Sequence, residues 1–151
     1  MTAEIEISPI AVEEFERLLP LIAAYQRFYE VESIDEERNR AFFRRFLGPS
    51  EDGILLGARR DGRLAGYACL YWHFSSLEAC ESVLMNDLFV DESVRGEGVG
   101  RALIEAAADV ARERGVPFVE WSTAPDNHTA QRLYDSTGAE RSEWFSYELR
   151  V

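Results

Sequence analysis

The chain has 151 residues, with 46% hydrophobic and 29% charged, which suits one globular domain with room for a real core (1–151). Its formal net charge of −12 argues against nucleic acid or an anionic membrane as partner, since both require a basic footprint. No apolar run approaches membrane-spanning length, and an N-terminus carrying Glu4 and Glu6 is unlike a secretory leader, so a cytoplasmic location is expected. The acidity either favours cationic small molecules or serves solubility alone.

Ile5 and Ile7 suggest a first strand. From Ala11 to about Tyr29, Phe15, Leu18, Leu19, Ile22 and Tyr25 recur at helical spacing, and Pro20 is expected to kink or split that helix. A second helix is predicted from Glu36 to Leu47, with Phe42, Phe43 and Phe46 facing inward, followed by a loop over residues 48–53. Ile54-Leu55-Leu56 and Leu64 to Trp72 flank Asp61-Gly62, a two-residue hairpin turn. If residues 64–74 pair with 80–90, Cys69 faces roughly Met85 and Cys80 roughly Phe74. The two cysteines are then buried apolar fillers, not a disulfide, and they form no metal or redox motif.

Leu84 to Val90 reads as a strand, and a short acidic turn leads from it to Arg95-Gly96-Glu97-Gly98-Val99-Gly100. A helix follows directly, with Val99, Leu103, Ala107 and Val110 on one face and Gly115 at its C-terminal cap. A glycine turn that opens a helix brings free amides and the positive end of the dipole to one point, which suits an anion. A nucleotide P-loop is excluded, because all sixteen basic residues are arginine. A dinucleotide G-x-G-x-x-G also fails, since Arg101 or Leu103 stands at the last position. Arg-x-x-Gly-x-Gly remains, either as a phosphate seat or as a tight loop that needs glycine only for its geometry. Val116 to Trp121 is a short strand. Asp126 or Asn127 caps a helix from Thr129 to about Thr137, ended by Gly138. Trp144 to Leu149 alternates and is expected to close the sheet. The order predicts a mixed α/β sandwich.

Asn86-Asp87-Leu88-Phe89-Val90 followed by Arg95-Gly96-x-Gly98-x-Gly100 resembles the acetyl-CoA motif of the GNAT superfamily of N-acetyltransferases. Trp121, Asp126-Asn127-x-x-Ala130 and Leu133-Tyr134-x-x-x-Gly138-Ala139 resemble that family's second motif, at the right distance. The resemblance covers nearly the whole chain. It implies an α/β fold with a central, mostly antiparallel sheet flanked by helices, and acetyl transfer from acetyl-CoA to a primary amine. It implies no metal. The diphosphate would lie on Arg95, Gly96, Gly98, Val99, Gly100 and Arg101, and the pantetheine arm along Leu88, Phe89 and Val90. Asn127 would add a contact beside its capping role.

Amide formation needs an unprotonated amine, donors for the oxyanion and a proton for the departing thiolate. Tyr134 stands where the family's phenol commonly protonates that sulfur; otherwise it is a helix residue packing beside Leu133. Asn86 occupies a position that is often acidic in the polyamine branch, so the base stays open. Asp87, Glu32, Glu120 and an ordered water are the alternatives, and His73 and His128 are read as packing or surface residues. Tyr25, Phe28, Tyr29, Glu30, Glu32, Trp72 and Trp121 are candidates for the acceptor pocket, where aromatics beside carboxylates suit a cationic amine. The resemblance implies a homodimer. Two other readings are a CoA-binding sensor without turnover and an acetyltransferase for a protein or aminoacyl acceptor.

Overall fold

A computed structural model describes residues 3–151, so the first two residues of the 1–151 span lie outside it. Five strands form one sheet in the order β1 (Ile5–Pro9), β2 (Gly53–Arg60), β3 (Arg63–Ser75), β4 (Cys80–Val90) and β5 (Val119–Glu120). The first four pair antiparallel, and β5 runs parallel to β4. Asp61 and Gly62 join β2 to β3 with φ of 50° and 82°, the left-handed pair that a tight hairpin requires.

Helices cover both faces. On one, α3 (Val99–Arg114) buries Val99, Leu103 and Ala107 against Leu56, Val83 and Met85, with Val110 packed at the margin. On the other, α1 (Phe15–Phe28) and α2 (Glu36–Phe43) bury Leu18, Ile22 and Phe43 against Leu55, Tyr67 and Phe89. Gly115 caps α3 with φ 71°. The last helix, α4 (His128–Asp135), takes Asn127 as its N-cap, the Oδ1 accepting from the Ala130 amide at 3.2 Å. A part-buried ion pair ties the N-terminal arm to β2: Arg59 Nε donates to Glu14 at 2.8 Å and Arg59 Nη1 to Ser8 Oγ at 2.7 Å. Among the described residues no helix is long and apolar enough to cross a membrane.

Several expectations need correction. Pro20 does not split α1, which runs unbroken through it; the ring faces solvent, where water can take the carbonyl it frees. Phe42 is exposed, unlike Phe43 and Phe46, because α2 ends at Phe43 and a tighter 3-10 turn takes over. Cys69 pairs with Asp87 and Cys80 with Ser75; both are free thiols, and Cys80 is only half buried. Trp144 to Leu149 joins no strand. Phe145, Tyr147 and Leu149 stand 88%, 96% and 89% exposed, and on the alternate side Glu148 bridges Arg150 at 2.7 Å. This segment has the alternation of a strand but no sheet to lie on.

Two irregularities in β4 shape the pockets around it. Cys69 is opposite Asp87 and Leu70 is opposite Met85, which leaves Asn86 as the extra residue of a β-bulge. Val83 and Met85 pack toward α3, whereas Phe89 beyond the bulge packs toward α1. Secondly, β5 pairs with β4 only at Val83 and Leu84, so from Met85 onward that side of β4 has no neighbouring strand.

Candidate active site

The open side of β4 leads into the glycine turn. Gly96 and Gly98 adopt φ of 83° and 89°, and no atom lies within 4 Å of where a Cβ would sit on either. A side chain there would be strained and would fill that free space. The first amide in the α3 ladder is Ala102, donating to the Gly98 carbonyl at 3.0 Å. The amides of Val99, Gly100 and Arg101 precede the ladder, and the carbonyls four residues back lie outside the helix. Arg95 Nε donates to the Val90 carbonyl at 3.0 Å, and Arg101 donates to Ser136 Oγ. Glu97, the one acid in the turn, is held by Arg60 at 2.9 Å, which offsets its charge.

A cavity of about 670 Å³ runs from this turn along β4 to α4. All the residues assigned to acetyl-CoA by motif, from Leu88 to Asn127, line it, together with Tyr25, Phe28, Tyr29 and Tyr134. Its width at the turn depends on Gly100, where a Cβ would come within 3.0 Å of Leu133 Cδ2 on α4. Tyr134, next along α4, packs edge-on against Trp121 with ring centroids 5.5 Å apart. Burial pushes its phenol up to about 12, so it keeps its proton at neutral pH and can donate it.

A second cavity, of about 330 Å³, opens between α1, α2 and the bulge. Tyr25 lines both cavities and donates to the Asn86 carbonyl at 3.4 Å. Asp87 forms part of the wall with 4% of its surface exposed. Asn86 Nδ2 donates to its Oδ1 at 2.7 Å, and the Tyr67 hydroxyl lies 3.5 Å from Oδ2. Burial pushes Asp87 up to about 6 despite those two donors, which pull the other way. A carboxyl poised there can take a proton near neutral pH. Burial, then the Asp87 carboxylate, raises the Tyr25 phenol, with smaller effects from Tyr29 and Tyr134.

The remaining acceptor candidates lie elsewhere. Trp72 is on the far side of β3, donating from its indole to the Ser50 carbonyl at 3.0 Å and stacked under Arg114 at 3.6 Å. Neither Trp72, Trp121 nor Glu32 lines either cavity. Sequence reasoning missed Arg38, Asn39, Phe42 and Tyr71 in the smaller cavity and Thr129, Ala130 and Leu133 in the larger. Alternation along β3 could have drawn attention to Tyr71; the α2 residues had no motif to mark them. Among the described residues no cluster of His, Cys, Asp or Glu could hold a metal ion.

The sheet parts beside a glycine turn, and the opening runs from the head of α3 to a protonated phenol on α4. The chain belongs to the Acetyltransferase (GNAT) family, whose model matches residues 18–139, and is an acetyl-CoA-dependent N-acetyltransferase. It is 34% identical over 128 residues to the uncharacterized N-acetyltransferase YhfO of Bacillus subtilis, covering 85% of each chain. It is 43% identical over 94 residues to a D-amino-acid N-acetyltransferase of Saccharomyces cerevisiae, covering 61% of this chain and 58% of the yeast protein. The crystal structure of a probable acetyltransferase superposes with a TM-score of 0.84 at 31% identity, over 97% of each chain.

Proposed function

We propose that this enzyme, as one domain, acetylates the primary amine of a small cationic or amino-acid-like acceptor by direct attack within a ternary complex. The observation that carries the reading is the pair of cavities that share Tyr25, with Tyr134 in one and Asp87 in the other. The yeast relative, named for D-amino acids, supports an amino-acid-like acceptor.

In this reading acetyl-CoA supplies the activated acyl group, and the chain does the rest. Free amides at the head of α3, with Arg95 and Arg101, hold the diphosphate. The unpaired side of β4 at Leu88, Phe89 and Val90 orients the pantetheine arm, and Asn127 fixes the start of α4 beside it. A main-chain N–H near Leu88–Phe89 steadies the charge that develops on the carbonyl oxygen. Asp87 draws the proton from the amine, and Tyr134 gives its own to the departing sulfur. A thiol-release assay with acetyl-CoA against amino acids, polyamines, aminoglycosides and basic peptides tests this. Release with a small amine is expected; release confined to peptides, or none, overturns it.

The assembly in this reading is a cytoplasmic homodimer. Phe145, Tyr147 and Leu149 are almost fully solvated, and burying each would contribute roughly 1.5–3 kcal/mol. The partner best able to accept an unpaired strand is a second copy whose own sheet ends at the two-residue β5, each tail completing the other's edge.

A further inference from the structure

We propose that Arg38 binds a carboxylate of the acceptor, so that the preferred substrates are amino acids rather than polyamines. The inference rests on the acetyl-transfer reading above and assigns to the smaller cavity a task that reading leaves open.

Charge within that cavity is divided between two side chains. Asp87 is the one acid in its lining and Arg38 the one base. Three amides also line it: Gln26 and Asn39 bond each other reciprocally at 2.8 Å in both directions, and Asn86 Nδ2 donates to Asp87 at 2.7 Å. Tyr25, Phe42, Phe43 and Tyr71 complete the wall with aromatic rings that bring no further charge. A guest that meets both charged groups must itself carry an amine and an anion.

Arg38 is free to take that part. Among the described residues its guanidinium makes one bond, Nη2 donating to the Ser33 carbonyl at 2.5 Å. Among the described residues no ion pair involves it. The acids nearest in sequence, Glu36 and Glu37, are both turned onto Arg40, which Glu16 also holds. The backbone is fixed in the first turn of α2, where the Arg38 amide donates to Asp35 Oδ1 at 3.1 Å. An anchored arginine with a free fork suits a carboxylate, which it can bind through two parallel N–H donors. A polyamine would instead bring its second ammonium toward Arg38, where like charges repel. The volume, about 330 Å³, is at the low end of the roughly 300–1,000 Å³ usual for small-molecule sites, which favours a compact acceptor.

The test compares each amino acid with the amine it yields on decarboxylation, ornithine with putrescine for example, by kcat/KM in the thiol-release assay. The wild type should favour the carboxylated member of the pair. Arg38→Gln should lower that preference roughly 10- to 100-fold, Arg38→Lys should restore part of it and Arg38→Glu should invert it. Acetyl-CoA affinity and melting temperature, followed in every variant, exclude a general loss of structure. A wild type that prefers the decarboxylated partners, or a preference that Arg38→Gln leaves intact, would overturn the assignment. Should no amine release thiol, the transfer reading fails, and calorimetric titration of ornithine and putrescine into the CoA-bound protein still decides the role of Arg38 by the same ratio.

Discussion

Met85 and Asp87, two residues apart on β4, point to opposite faces of the sheet. Met85 packs into the cluster under α3, and Asp87 meets the hydroxyl of Tyr67 in the cluster under α1. In an unbroken strand these positions would share a face. The bulge at Asn86 turns the acid toward the smaller cavity and leaves Met85 in the core.

That arrangement sets a pH dependence. A protonated Asp87 cannot accept a proton from an amine, so kcat/KM should rise with pH through about 6. Asp87→Asn should remove this limb, and Asn86→Ala, which takes away a donor that favours the ionised form, should move it to higher pH. A pH–rate profile that keeps its limb in Asp87→Asn would take Asp87 out of the mechanism.

With the phenol proposed as the acid for the leaving sulfur, Tyr134→Phe should lower kcat about ten- to thousand-fold while leaving acetyl-CoA affinity close to normal. Packing against Trp121 survives the change. Single-turnover kinetics with an unaltered rate would eliminate Tyr134 as the acid.

Gly98→Glu should abolish acetyl-CoA binding by sending a charged side chain into the space in front of the turn. The left-handed backbone there, φ 89°, adds about 1–2 kcal/mol of strain to any non-glycine residue. Gly98→Ala is the control, carrying the strain without the charge, and should bind more weakly but measurably. Titration calorimetry that finds equal affinity in the glutamate variant and the wild type would remove the phosphate seat from this turn.

Glu14→Gln leaves Arg59, whose side chain is 10% exposed, without its carboxylate. Breaking such a pair costs about 3 kcal/mol or somewhat more, a fall of roughly 6–12 °C in Tm for a chain of this size. The bond to Arg59 holds the Glu14 carboxyl below its usual 4.5, so this stability is present above that value and lost as pH falls through the lowered one. Asp87 has the opposite sign. Its carboxyl is raised from 3.8, so its contribution is complete below 3.8 and fades as pH rises through about 6. Melting curves from pH 3 to 8 for Glu14→Gln and Asp87→Asn separate the two.

Removing residues 143–151 should convert a dimer into a monomer with its fold retained, because those residues pack on nothing within their own chain. Light scattering that reports the same mass before and after truncation would rule out tail exchange.

Motif and periodicity made the larger cavity readable in advance. Val99, Leu103 and Ala107 announced α3, and glycines at 98 and 115 marked its two ends. The smaller cavity was hidden for a physical reason: a bulge inserts one residue without changing composition, so nothing in Met85-Asn86-Asp87 discloses which way the acid turns. Arg38 and Tyr71 line one cavity from elements distant in sequence, and only the register of β3 on β4 and the docking of α2 place them there. The tail misled in another way. Its alternation was genuine, yet a strand pattern does not say whose sheet it belongs to.

The missing side chain at Gly100 sets how closely α3 and α4 approach. A Cβ there would come within 3.0 Å of Leu133 Cδ2, so its absence lets Leu133, and with it the neighbouring Tyr134, close on the glycine turn like the second jaw of a calliper. In the proposed mechanism a carrier molecule of constant length is gripped at its charged end and meets the proton donor at its sulfur only while that gauge is kept. Gly100→Ala would spread the jaws, spoiling proton delivery before it loosened the grip.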